Sequence, residues 1–567
     1  MPYCPDNPLI VQSDRSILLE VDNPKYEATR NALAPFAELV KSPEHIHTYR
    51  ISPLSLWNAA AAGHTLAEIR STLEQYGKYD VPENILTEIA EYFGRYGRIK
   101  IIEGTTPDTL LLKTDSDVLL LEILSQKGTT GLFLDKKDKT SVSLTLFKRG
   151  LVKQALIKLG YPVEDLAGYV IGTPLPFSLR KTTLLGESFA LRRYQEDSAE
   201  IFFAAGGRKG GSGVIVLPCG AGKTVVGMAA MSLVRSHTLI LTTNITAAKQ
   251  WKRELLDKTD LREEDIGEYT GEIKAIRPVT VATYQIITYR KKKSEEFPHF
   301  AIFNANRWGL IIYDEVHLLP APVFRITAGI QATRRLGLTA TLVREDNKED
   351  EVFSLIGPKK YDAPWKVLEE QGWIASAICT EVRVELPDNL KMEYAVAENR
   401  KKIRIAAENP AKEELVEALL KRHTGDLILI IGQYLDQINH IAARFNIPLI
   451  TGATPTLERE KLYRDFREGK MTRLVVSKVG NFAVDLPDAN VAIQVSGTFG
   501  SRQEEAQRLG RILRPKKNGQ QARFYSLVTR TTCEQDFAMN RQLFLTEQGY
   551  SYLIIEGRTF LTSAKRG

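Results

Sequence analysis

Two successive series of short apolar runs, each run followed by a helix-length segment, constrain this 567-residue chain more than any other feature. The first series occupies residues 214–217, 239–241, 279–282, 310–313 and 335–338. The second occupies 427–431, 473–477, 491–495 and 524–527. Apolar runs without polar alternation suit strands covered on both faces. Strands of that kind, joined through helices, build parallel sheets, because parallel neighbours need a crossover connection. Two series in tandem therefore predict two parallel α/β domains with helices on both faces. None of the runs approaches the ~20 apolar residues a membrane helix needs.

About 180 residues precede the first series, and they divide further. Residues 1–104 read as helical: 53–62 is apolar and alanine-rich, Leu66, Ile69 and Leu73 share a helical face, and Ile85, Ile89 and Phe93 recur at four-residue spacing. Residues 105–180 switch to short β-branched and leucine runs with a helical stretch at 150–160, predicting a small mixed α/β module. A breaker-rich linker lies near 172–188. The expected division is 1–104, 105–180, 181–362 and 363–567, with 371–409 the least regular part.

The chain carries 76 Lys and Arg against 69 Asp and Glu, a formal net charge of +7. The excess is unevenly spread. Residues 1–104 hold 10 basic and 14 acidic side chains, 105–180 hold 10 and 8, and the remainder 56 and 47. The basic balance thus sits with the two α/β series, where a polyanionic partner would be bound. Cys4, Cys219, Cys379 and Cys533 are scattered without metal-ligand spacing, which argues against a disulfide scaffold, a zinc site or an iron–sulfur cluster. The N-terminus shows no basic and apolar leader pattern, so the expectation is a cytoplasmic protein with no membrane partner.

Chemistry-bearing residues fall at the ends of the predicted strands. Pro218-Cys219-Gly220-Ala221-Gly222-Lys223-Thr224 follows a strand and opens a helix. Gly220, Ala221 and Gly222 would let backbone N–H groups approach phosphate oxygens, Lys223 would reach the β- and γ-phosphates, and Thr224 would hold Mg²⁺. The longer form of this loop has glycine where this chain has Leu217. Some ninety residues on, an apolar strand ends in Asp314-Glu315-Val316-His317. Asp314 suits the metal's water shell, Glu315 suits activation of the attacking water, and His317 is expected to bond toward the second domain. Thr339 and Thr341, at the end of the next strand, are placed to sense the γ-phosphate. In the second series, Gln507, Arg511 and Arg514 share one helical face, the arrangement of arginines that reach across to a nucleotide.

The order of these motifs resembles superfamily 2 helicases and translocases. Residues 337–346, 355–358, 477–480, 484–487, 490–494 and 503–515 narrow the resemblance to the XPB helicase family, from about Leu191 to the C-terminus. Residues 432–437 and 497–506 are similar to its bacterial branch, and 49–57 agrees with the family's N-terminal domain. The resemblance implies two tandem RecA-like domains and an ATP-dependent DNA motor of 3′→5′ polarity in DNA repair. It implies ATP and Mg²⁺ as cofactors and single-stranded/duplex DNA junctions as substrate. Gln195 becomes a candidate adenine reader, and Arg344, Glu345 and Asp346 match the family's strand-separating triplet. The family's thumb element has only residues 386–410 available, and any damage-recognition-like module must lie within 105–180. Two alternatives stay open: a duplex translocase that does not separate strands, and an ATP-gated scaffold recruiting a repair nuclease.

Overall fold

In the computed structural model the described residues are 3–41, 45–106, 108–184, 186–218, 220–292, 297–331, 333–340, 349–363, 365–373, 375–477, 489–497, 521–547, 550 and 552–564. Two compact units divide the chain. The first comprises residues 1–40, 44–217 and 222–363, and the second 364–567 together with 41–43 and 218–221.

The first unit opens with β1 (Leu9–Val11), β2 (Ser16–Glu20), α1 (Tyr26–Leu33), β3 (Glu38–Lys41), β4 (Ile46–Arg50), α2 (Pro53–Ala62), α3 (Leu66–Tyr76) and α4 (Glu83–Gly94). The three helices expected here are present. Ser52 and Thr65 cap α2 and α3 through reciprocal side-chain bonds, which is why those helices start where they do. A purely helical reading of residues 1–104 is corrected, however, by a four-stranded sheet in the order β1-β2-β4-β3. Its strands are three to five residues long, with β1–β2 and β2–β4 paired antiparallel, too short for alternation to register in the sequence.

The next module contains β5 (Ile99–Glu103), β6 (Thr109–Thr114), α5 (Asp117–Ser125), β7 (Ser141–Thr145), α6 (Arg149–Lys158) and β8 (Val163–Asp165), with sheet order β7-β6-β5-β8. Since β5 pairs with β6, the module begins before residue 105. Its helix α6 lies against the following α/β domain so closely that a Cβ on Gly150 would stand 2.3 Å from the Ala328 carbonyl oxygen.

That domain runs α7 (Arg193–Phe203), β9 (Ser212–Val216), α8 (Lys223–Val234), β10 (Thr238–Thr242), α9 (Ile245–Lys258), β11 (Ile266–Tyr269), β12 (Val279–Thr283), α10 (Tyr284–Ile287), β13 (Leu310–Asp314), α11 (Ala321–Gly329), β14 (Arg334–Thr339), α12 (Glu349–Leu355) and β15 (Lys359–Asp362). Its seven strands are all parallel, in the order β11-β12-β10-β13-β14-β9-β15. Leu239, Leu241, Ile311 and Tyr313 lie at the centre of its core.

The second unit follows with α13 (Trp365–Glu370), β16 (Ala377–Val384), α14 (Asp388–Val396), α15 (Asn399–Ala407), α16 (Ala411–Arg422), β17 (Ile428–Ile431), α17 (Leu435–Phe445), β18 (Leu449–Ile450), α18 (Thr456–Arg467), β19 (Arg473–Val476), β20 (Val491–Gln494), β21 (Ala522–Thr529), α19 (Cys533–Glu547), β22 (Tyr552–Glu556) and α20 (Gly557–Ala564). Its sheet is again seven-stranded and parallel, ordered β18-β19-β17-β20-β21-β16-β22. Counting strands within each domain, the two orders are the same: third, fourth, second, fifth, sixth, first, seventh. The expected pair of RecA-like sheets is therefore observed as one topology used twice. Residues 386–410 form the short helices α14 and α15. Among the described residues no helix is long and apolar enough to cross a membrane.

Candidate active site

Strand β9 delivers the glycine-rich loop. Leu217 N donates to the Thr339 carbonyl at 2.9 Å, so the loop starts where β9 and β14 end side by side. Gly220 and Gly222 adopt φ of 83° and 84°, left-handed backbone that costs an L-residue about 1–2 kcal/mol. Gly222 caps α8, whose first residues are Lys223 and Thr224. The N–H groups at that helix start, the helix dipole and the lysine together form an anion cradle. A Cβ on Gly222 would stand 2.6 Å from Nε2 of Gln195, so the Gln195 amide lies directly against the loop, while φ is what calls for glycine. Gln195 is buried at the start of α7, where its Oε1 accepts the Arg192 N–H at 3.0 Å. The structure therefore places Gln195 beside the loop although Gly222 lies 27 positions further along the chain.

Strand β13 ends in the carboxylate pair. Trp251 Nε1 donates to Asp314 Oδ2 at 2.8 Å, and the Glu315 N–H donates to Oδ1 at 3.0 Å. The Tyr284 hydroxyl donates to the Asp314 carbonyl at 2.9 Å. Burial, and then the neighbouring Glu315 charge, raise the Asp314 carboxyl to about 6. Glu315 takes φ 49°, a left-handed conformation outside glycine's usual role. Backbone strain of this kind, about 1–3 kcal/mol, gathers at functional sites because it aims a side chain.

Glu315 Oε1 lies 3.5 Å from Lys223 Nζ, and its Oε2 lies 3.5 Å from His317 Nδ1. The same His317 nitrogen is 2.7 Å from Thr339 Oγ1. Lys223, Glu315, His317 and Thr339 thus form a continuous polar chain across the ends of β9, β13 and β14. The Nδ1 of His317 meets Glu315 and Thr339 of its own domain, since β13 and β14 are adjacent and the buried imidazole is only one turn beyond β13.

The donor set suits Mg²⁺. Among the described residues the Asp314 and Glu315 carboxylates adjoin the Lys223 ammonium, and burial, then the Glu315 charge, raises the Asp314 carboxyl. A divalent cation would offset negative charge there, and the Asp314 carboxylate and Thr224 hydroxyl are hard oxygen groups of the kind it takes. Trp251 and Tyr284 were not anticipated: they belong to no short motif and reach Asp314 only through the fold. Thr341, Arg344, Glu345, Asp346, Gln507, Arg511 and Arg514 lie outside the described residues.

The glycine loop and the carboxylate pair thus stand together at the strand ends of the first of two tandem parallel α/β domains. Residues 368–565 match the ERCC3/RAD25/XPB C-terminal helicase family, 188–344 the type III restriction enzyme res subunit, and 9–138 a helicase conserved C-terminal domain. The DNA 3′-5′ helicase XPB of Kineococcus radiotolerans is 53% identical over 551 residues, 97% of each chain. That of Mycobacterium tuberculosis is 53% identical over 559 residues, 99% of this chain and 100% of the relative. A general transcription and DNA repair factor IIH helicase/translocase subunit of Enterocytozoon bieneusi is 34% identical over 573 residues, covering 97% and 93%. The chain belongs to the XPB helicase family.

Proposed function

We propose that this chain is an ATP-driven DNA helicase of 3′→5′ polarity that opens DNA during repair. The observation carrying this reading is the polar chain from Lys223 through Glu315 and His317 to Thr339, set at adjacent strand ends behind a left-handed glycine loop. In this reading the N–H groups opening α8 and the Lys223 ammonium bind the phosphates, and Gln195 reads the adenine. Thr224 and Asp314 hold Mg²⁺, which when bound offsets phosphate charge. Trp251 fixes the carboxylate of Asp314 so that it faces one way. Glu315 orients the attacking water and takes its proton, while His317 relays the state of that carboxylate to Thr339. Arg511 and Arg514 stabilise charge developing on the γ-phosphate, an effect of roughly 10³–10⁵ in rate for P-loop enzymes. DNA is held through its phosphates by the basic α/β part of the chain.

The test is ATP hydrolysis without nucleic acid and with single-stranded, duplex and forked DNA, beside Lys223→Ala. Strong stimulation by DNA that disappears in the variant supports the motor. No stimulation by any DNA overturns it in favour of an ATP-gated scaffold. Arg344→Ala then separates helicase from translocase: a helicase loses unwinding while keeping DNA-stimulated hydrolysis.

A further inference from the structure

A second cluster stands at the C-terminal edge of the first α/β sheet, on the side away from the glycine loop. Strand β12 is separated from β9 by four strand spacings, ~19 Å. Beyond β12 and the short α10, the chain reads Tyr289-Arg290-Lys291-Lys292. The Tyr289 ring is 53% exposed and lies 6.4 Å from His299, and Lys291 and Lys292 are exposed. Tyr269, the last residue of edge strand β11, holds His299 from behind through a 2.8 Å bond between its hydroxyl and Nδ1. Arg290 is kept in place over Phe297, its guanidinium carbon 4.7 Å from the ring centroid. One strand further in, at the end of β10, the buried Thr242 hydroxyl has no hydrogen-bond partner among the described residues.

An exposed aromatic ring in a braced frame, followed directly in the chain by Arg290, Lys291 and Lys292, matches the chemistry of an unpaired nucleobase on its phosphate backbone. Base faces are hidden in a duplex, and an acidic peptide has no flat ring to stack. We propose that Tyr289, His299, Arg290, Lys291 and Lys292 form a stacking site for single-stranded DNA at the outer edge of this domain. The inference rests on the reading of the chain as a DNA motor and adds where an unpaired strand is gripped, apart from the hydrolytic residues.

Fluorescence anisotropy of the full chain with labelled oligothymidylate, the matching duplex and an abasic strand tests it. Tyr289→Ala should weaken oligothymidylate binding roughly tenfold while leaving duplex and abasic binding unchanged. Arg290→Ala/Lys291→Ala/Lys292→Ala should lower the slope of log K against log salt by about 2 for single strands. Unchanged thermal melting verifies that both variants fold. Wild-type affinity in Tyr289→Ala overturns the proposal, as does an equal loss on duplex or competition by polyglutamate as effective as by oligothymidylate. Absence of DNA binding in the wild type would instead sink the motor reading itself.

Discussion

Glu315 shows how a single residue combines strain, charge and position. Its left-handed backbone turns the side chain toward both Lys223 and His317, whereas an extended residue after β13 would point elsewhere. Glu315→Gln keeps size and hydrogen bonding but removes the carboxylate that the proposed mechanism uses as base. It should bind ATP normally and hydrolyse it at least 10²-fold more slowly in single-turnover assays. Near-normal turnover would remove Glu315 from the catalytic role. Trp251→Phe tests the support behind it. Losing the indole N–H leaves one oxygen of a buried carboxylate without its donor, at a cost of about 1–3 kcal/mol. The expected outcome is slower hydrolysis partly restored by higher Mg²⁺, read from a metal titration of the initial rate.

At the scale of elements, the N-terminal sheet carries its own titration. His47 on β4 is buried, its Nδ1 2.9 Å from the Tyr26 hydroxyl of α1. Burial, and then the Arg30 charge, lower its pKa to about 4. The unfolded chain takes up a proton below about pH 6.5 while the folded one stays neutral. Stability from this group is therefore complete above 6.5 and is lost as pH falls toward 4, by about 3 kcal/mol. Urea unfolding between pH 6.5 and 4.5 should show His47→Gln losing stability less steeply than the wild type. Parallel slopes would exclude His47 as the source.

On the scale of the molecule, one strand order is used twice, yet only the first domain places a glycine loop after its first strand. In the second domain β16 is followed by Glu385-Leu386-Pro387-Asp388, which opens no phosphate cradle. The small module is joined to the first α/β domain through a buried charge cluster. Arg149 and Lys153 of α6 meet Asp165 at 2.7 and 3.0 Å, and the guanidiniums of Arg149, Arg334 and Arg335 surround the Tyr169 ring at 5.4–5.9 Å. Burial opposes ionisation of Asp165, but the Lys153 and Arg149 charges outweigh it and hold the carboxyl well below its usual range. Burial also brings Lys153 down to about 7. Asp165→Asn strands two buried cations and should destabilise the first unit by about 3 kcal/mol, read as a lower urea midpoint. An unchanged midpoint would mean the cluster is neutral to stability.

Local signals along the chain sufficed for the two α/β series, the helices at 53–62, 66–76 and 83–94, and the residues of the glycine loop and carboxylate pair. These features depend on residues near one another in sequence: apolar runs, caps, and glycines at a strand end. The four-stranded N-terminal sheet escaped because its short strands gain stability only from partners elsewhere in the chain. Trp251 and Tyr284 escaped because they reach Asp314 across 63 and 30 residues, through the adjacency of parallel strands. The contact between His317 and Thr339 was not legible either, since only the pairing of β13 with β14 brings Thr339 to the His317 Nδ1. Residue type and local spacing specify which groups a strand end presents. Strand order, a cooperative property of the packed sheet, settles which of them meet.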